Sequence, residues 1–159
     1  MRMSFNDLVA EIVGEIEEVY PWDLAEALAE PVDGAGPLLL DVRCQTEFER
    51  MHIQGSVNVP RGILETACDY GYEETNPELV QARERRIVVI CRSGNRSALA
   101  AYTLQRMGYT DVASLKLGLR GWNDDEGEMV DAAGAPVPFE DADAYFMPRL
   151  SPEKLGKAA

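Results

Sequence analysis

The sequence predicts an α/β domain with three layers and a mostly parallel sheet. Strand-like and helix-like segments alternate along the chain, the pattern that stacks helices on both faces of a parallel sheet. Ile87-Val88-Val89-Ile90 is an unbroken apolar, β-branched run of the kind covered on both sides. A length of 159 residues with 46% apolar content suits one domain with a buried core.

The elements follow in order. Phe5, Leu8, Val9, Ile12, Val13 and Ile16 share one helical face, Ser4 and Asp7 form a capping-box pattern, and Glu11, Glu15 and Glu17 fill the opposite side. This predicts an amphipathic helix ending near Glu18, either a flap over the core or a partner surface. Pro21 and the run Trp22 to Ala29 predict a shorter helix, closed by Pro31 and the turn Asp33-Gly34-Ala35-Gly36-Pro37. Leu38 to Val42 and Ile87 to Ile90 read as buried strands, with shorter ones at Ser56 to Val59 and Val112 to Leu115. Helices are expected at Thr46 to Met51, Pro77 to Arg83 and Ser97 to Met107, the last stopped by Gly108. Thr66 to Glu78 is polar and reads as an excursion on one edge. Beyond Asp124 the chain is rich in Gly, Pro and acids, and Pro148 to Ala159 reads as a loosely attached tail.

Charge narrows the function. Fifteen basic against 28 acidic side chains leave −13, a poor match for nucleic acid or anionic lipid, so neither is expected as a partner. No stretch approaches the roughly 20 apolar residues that span a bilayer. The start goes directly into a charged amphipathic pattern, without the uncharged core of a leader, and the cytoplasm is the expected compartment. Three cysteines without a C-x-x-C pair, and one histidine, give neither a disulfide scaffold nor a zinc site. Reduced thiols in that compartment are chemically available.

The chemistry centres on Cys91-Arg92-Ser93-Gly94-Asn95-Arg96-Ser97, which follows the strand Ile87–Ile90 and opens a helix. The strand delivers Cys91 to the carboxyl edge of the sheet, where open α/β folds place their ligands. A tight loop with Gly94, running into a helix start, turns successive backbone N–H groups inward as an anion nest. Cysteines in such surroundings ionise at a pKa of roughly 3.5–7.5, against about 8.5 when free. Arg92 and Arg96 bracket the loop with positive charge. The expected product is a thiolate nucleophile that also binds an anionic substrate or a charged persulfide.

This loop resembles the active-site loop of rhodanese-type sulfurtransferases. Asp41-Val42-Arg43 with Glu47-Phe48, then His52-Ile53-Gln54-Gly55-Ser56 and Asn58-Val59-Pro60, then Leu117-Gly118 with Gly121-Trp122, resemble the family's other segments in the expected order. Met51, Gln54, Ser56 and Leu117 depart from the residues common there, which are glycine, proline, alanine and a second glycine. The resemblance runs from Val19 to Val130. It implies a rhodanese-like α/β/α fold with a five-stranded sheet over 19–130, an N-terminal helical extension over 1–18 and a C-terminal extension over 131–159.

It also implies that Cys91 accepts a sulfane sulfur from a small donor such as thiosulfate or a low-molecular-weight persulfide, or from a protein. The Cys91 persulfide then passes the sulfur to a thiophilic acceptor, a small molecule or a protein. The amides from Arg92 to Ser97 would cradle the outer sulfur, with the Arg92 and Arg96 side chains as anion holders, and no metal or organic cofactor would be needed. Asp41, Arg43 and Glu47 are expected to form a cluster supporting the loop, although Arg43 facing the substrate is the alternative. Cys44 and Cys68 are candidates for resolving the persulfide as a disulfide, against the reading of ordinary thiols. Two other functions stay open. One is a sulfur-carrier or interaction module with negligible turnover. The other is a cysteine-dependent phosphatase or arsenate reductase, although these place five residues between cysteine and arginine, where Cys91 and Arg96 have four.

Overall fold

Helix α1, Phe5–Ile12, starts where the sequence places it. Ser4 Oγ accepts the Asp7 amide at 3.1 Å and Asp7 returns a carboxylate to the Ser4 amide at 2.9 Å. The helix does not reach Glu18. It tightens into a 3₁₀ turn at Val13–Glu15, which contains Gly14, and the chain then extends into strand β1, Glu17–Val19. The computed structural model describes residues 2–31 and 34–156. Asp33 of the predicted turn and the last three residues of the predicted tail lie outside the described residues.

The remaining elements are α2 (Pro21–Ala29), β2 (Leu38–Asp41), α3 (Gln45–Arg50), β3 (Val57–Asn58), a 3₁₀ turn at Arg61–Ile63, α4 (Leu64–Ala67), α5 (Pro77–Val80), β4 (Ile87–Ile90), α6 (Asn95–Arg106), β5 (Val112–Leu115), α7 (Gly118–Asp124) and α8 (Phe139–Phe146). The five strands run in the order β1-β5-β4-β2-β3, and every pair is parallel. The sheet is therefore wholly parallel, and every strand presents its carboxyl end to the same edge.

Alternation along β4 divides the core as the apolar run predicts. Ile87, Val89 and Cys91 join Leu64, Leu79, Ala101 and Leu104 on one face, while Val88 and Ile90 join Leu24, Leu119, Trp122 and Phe146 on the other. Helix α1 packs Val9 and Ile12 against Ala98 of α6.

The C-terminal extension is not loose throughout. Helix α8 buries Ala142 and Phe146 in the core against α7, and Phe146 keeps 2% of its surface exposed. Its acids at Glu140, Asp141 and Asp143 hide a short apolar stripe that only the docked fold reveals. From Pro148 to Gly156 the described residues are exposed, as expected of a tail.

Candidate active site

Cys91 leaves β4 with no exposed surface, and its sulfur sits inside the turn that follows. The amides of Gly94 and Ser97 donate to Sγ at 3.1 and 3.2 Å. The Ser97 hydroxyl lies 3.3 Å from Sγ and 2.7 Å from the hydroxyl of Ser114 on β5. A thiol donates across the first of these contacts; once the sulfur is ionised the hydroxyl turns and donates to it. Among the described residues the amides of Asn95 and Arg96, at the start of α6, donate to no protein acceptor. The loop thus offers two donors to the sulfur already in place and two more beside it.

Two glycines let the chain close this tightly. Gly94 has φ +94°, and a Cβ there would stand 3.1 Å from the Leu115 carbonyl and the Leu117 amide. Gly118 has φ +58°, and a Cβ there would come within 2.4 Å of the Arg92 carbonyl. The Leu119 and Arg120 amides donate to the Cys91 and Arg92 carbonyls at 2.9 and 3.0 Å, so the start of α7 clamps the loop from outside. Leu117, where a glycine is common in the resembling family, holds φ +69° with 46% of its surface exposed.

Neither arginine's side chain reaches into the nest. Arg96 forms a two-point ion pair with Glu47, at 3.0 and 2.9 Å, and Arg92 donates to the Phe146 carbonyl at 2.5 Å. Burial pushes the Glu47 carboxyl up, but the Arg96 guanidinium, the Cys44 amide and the Arg43 charge outweigh it and hold it below the ordinary value. The Glu47 carboxylate, with the nearby Cys91 and Cys44 sulfurs, raises Arg96 in turn.

The supporting cluster divides differently from the expected one. Arg43 is wholly buried and turns back on Asp41 through Nε and Nη2, at 2.8 to 3.2 Å, with a further bond from Nη2 to the Met51 carbonyl at 2.7 Å. Asn58 Nδ2 ties the Asp41 and Arg43 carbonyls together at 3.1 and 3.0 Å. Glu47 belongs to Arg96, not to Arg43. Arg43 therefore braces the β2 turn with no exposed surface of its own.

The other two thiols separate cleanly. Cys44 is exposed at the carboxyl end of β2 and caps α3. Cys68 is buried among Leu64, Leu79 and Tyr109, its carbonyl held by Arg83 Nη2 at 2.7 Å, and burial pushes its thiol up. Tyr109 and Arg83 lie beyond the C-terminus of α6, whereas Cys91 lies at its N-terminus. Twelve helical residues put about 18 Å between those ends. The structure does not bring Cys68 to the site.

His52 places Nδ1 2.7 Å from the Phe48 carbonyl and stacks its ring on Phe48 at 3.9 Å, a turn-holding role. The residues that sequence reasoning missed are Ser114 and Phe146, each brought in from a distant element. Ser114 carries a detectable signal, a polar residue inside the otherwise apolar strand Val112–Leu115. Phe146 contributes only a backbone carbonyl and carries none.

A wholly parallel five-stranded sheet with a cysteine sulfur held by amides at its carboxyl edge defines a thiol-centred α/β domain. The family described as Rhodanese-like domain matches residues 24–125, and the chain belongs to it. The chain is 37% identical over 98 residues to the Bacillus subtilis protein named "Putative sulfur carrier protein YrkF", covering 61% of this chain and 48% of that one, about half its length. It is 32% identical over 97 residues to the Schizosaccharomyces pombe protein named "Putative thiosulfate sulfurtransferase, mitochondrial", covering 59% and 68%. A Rhodopseudomonas palustris structure, described as a protein of unknown function and "Possible Tyrosine Phosphatase", superposes with a TM-score of 0.71 at 29% identity, over 80% of this chain and 94% of that one. No helix among the described residues is long and apolar enough to cross a membrane.

Proposed function

We propose that this protein is a sulfurtransferase that moves a sulfane sulfur from a small donor, thiosulfate or a low-molecular-weight persulfide, to a thiophilic acceptor through a Cys91 persulfide. The observation that carries the reading is the Cys91 sulfur held by the Gly94 and Ser97 amides, with the Asn95 and Arg96 amides free beside it. In the first half-reaction the Cys91 sulfur attacks the outer sulfur of thiosulfate. The new S–S bond forms as the old one breaks, and sulfite leaves with its electron pair. The outer sulfur left on Cys91 is anionic, and the free amides at the start of α6 meet that charge where it develops. The acceptor then attacks the outer sulfur, and the Cys91 sulfur departs as the thiolate that the Gly94 and Ser97 amides stabilise. Two half-reactions of this kind give ping-pong kinetics.

Fixed dipoles do the electrostatic work here. Arg96 spends its charge on Glu47, and Arg92 donates to a carbonyl, so the backbone is the anion holder closest to the sulfur.

Two other readings have specific support. The likeness to a protein named as a sulfur carrier, with the full burial of Cys91, favours loading without rapid turnover. The likeness to the Rhodopseudomonas palustris protein, named as a possible tyrosine phosphatase, favours a phosphatase. Against the latter stand the four-residue interval between Cys91 and Arg96 and the commitment of Arg96 to Glu47, which takes that guanidinium away from a phosphate.

The deciding experiment is a thiosulfate:cyanide assay of wild type beside Cys91→Ser, with aryl phosphate hydrolysis in parallel. Thiocyanate formation lost in the variant supports sulfur transfer. Loading of Cys91 without thiocyanate supports the carrier, and phosphate release that depends on Cys91 supports the phosphatase.

A further inference from the structure

Cys91 has no exposed surface, so a cyanide ion reaches a sulfur there far more readily than a thiol mounted on another folded protein. Cys44, on the same edge of the sheet, is exposed. Strands β2 and β4 are hydrogen-bonded neighbours in register Asp41↔Ile90, and the Val42 amide donates to the Ile90 carbonyl at 2.9 Å. Val42 is thus level with Cys91, and Cys44 follows two residues further out on the same edge. The two thiol-bearing turns are joined side to side. Glu47 Oε1 accepts the Cys44 amide at 3.4 Å and Arg96 Nη1 at 3.0 Å, and the next residue, Ser97, holds the Cys91 sulfur through its own amide at 3.2 Å. Both cysteine sulfurs act electrostatically on the one Arg96 guanidinium. One thiol is buried and the other is exposed.

Resting on the sulfurtransferase reading, we propose that Cys44 is a relay thiol that takes the outer sulfur from the Cys91 persulfide and presents it at the surface to the thiol of an acceptor protein. Cys44 gives its proton, through solvent, to the anionic outer sulfur of the Cys91 persulfide and attacks that sulfur. A Cys44–sulfur bond forms, the bond from the outer sulfur to Cys91 Sγ breaks, and its electron pair returns to Cys91. The outer sulfur keeps its proton, Cys91 becomes the amide-held thiolate again, and no oxidant or reductant is consumed. Attack on the inner sulfur would instead expel sulfide and leave a Cys44–Cys91 disulfide. The inner sulfur, Cys91 Sγ, has no exposed surface, so the relay asks Cys44 to reach only the outer one.

Peptide mapping tests this on the full chain. Trypsin cuts after Arg43, Arg50, Arg61, Arg83, Arg86 and Arg92, which places Cys44, Cys68 and Cys91 on three separate peptides. The protein is treated with thiosulfate, freed of excess donor and capped with an alkylating agent after increasing delays. The expected result is one added sulfur on the Cys91 peptide first and on the Cys44 peptide later, with neither loaded in Cys91→Ser. Sulfur confined to Cys91 at every delay overturns the relay and leaves the sulfurtransferase reading standing. Loading of Cys44 in Cys91→Ser overturns it as well, because the donor would then reach Cys44 directly. A Cys44–Cys91 disulfide with released sulfide replaces it with the resolving reaction. Failure to load Cys91 at all removes both readings together.

Discussion

Ser97 meets the Cys91 sulfur through two groups, its amide at 3.2 Å and its hydroxyl at 3.3 Å, and the same hydroxyl lies 2.7 Å from Ser114. Substitution removes only the second contact. A hydrogen bond to a charged group is worth about 1.5–3 kcal/mol, and about 1.4 kcal/mol is a factor of ten. Ser97→Ala should therefore slow persulfide formation about tenfold or more at a fixed thiosulfate concentration. It should also destabilise the fold by about 1–3 kcal/mol, because the buried Ser114 hydroxyl loses its partner. Stopped-flow loading and urea unfolding measure the two effects. An unchanged loading rate would mean that the backbone alone stabilises the sulfur anion.

The Glu47–Arg96 pair makes a signed prediction in pH. The Glu47 carboxyl lies below its ordinary value of 4.5 in the folded protein, so the unfolded chain binds the proton more readily. The pair's contribution is present in full above about pH 4.5 and is lost as pH falls through the folded value. Wild type should unfold at higher urea than Glu47→Gln at neutral pH, and the gap should close on acidification. Glu17, held down by Arg86, behaves in the same way but is common to both proteins and cancels from the difference. A gap independent of pH would show that Glu47 acts through packing alone.

Adjacent residues in the turn that clamps the nucleophile loop should respond in opposite directions. Leu117 holds a left-handed backbone that costs a non-glycine residue about 1–2 kcal/mol, and its side chain is half exposed. Leu117→Gly should raise stability by about 1 kcal/mol, after the extra chain entropy of glycine is set against the released strain. Gly118→Ala should destabilise by several times that, roughly 3 kcal/mol or more, since its Cβ would meet the Arg92 backbone at 2.4 Å. It should also abolish sulfur loading, because the displaced loop carries the donors. Thermal unfolding and mass spectrometry of the two variants check both signs.

Salt should help a dianionic donor. The protein carries −13, Arg96 is neutralised by Glu47, and Arg92 is held on the Phe146 carbonyl. Long-range repulsion then outweighs local attraction until it is screened. The Debye length shrinks from about 30 Å at 0.01 M to about 10 Å at 0.1 M salt. Turnover at subsaturating thiosulfate should rise over that range, and a steep fall would show that the arginines swing into the site and dominate.

The nucleophile loop was legible because its signal is contiguous: a buried strand, a cysteine, a glycine turn and a helix start, all within Ile87 to Ser97. Strand β1 was not. Glu17-Glu18-Val19 is three residues long and continues the helical spacing of Ile16, and it becomes a strand only because the edge of β5 accepts it in the register Glu17↔Ala113. The partners of the two arginines were equally out of reach. Arg96 finds Glu47, 49 residues earlier, and Arg92 finds the carbonyl of Phe146, 54 residues later. Residue type and spacing along the chain cannot report such pairings, which the topology alone creates. Asp41 and Arg43 were legible as a pair, two residues apart at a strand end, but the carboxylate that joins them in the expected cluster serves the other loop.

The most direct test of sulfur transfer through Cys91 is the intact mass of the protein after thiosulfate treatment and removal of excess donor. Wild type should gain the mass of one sulfur atom, the gain should disappear on adding cyanide, and Cys91→Ser should gain nothing. An unmodified wild-type mass, or an equal gain in Cys91→Ser, would contradict a Cys91 persulfide.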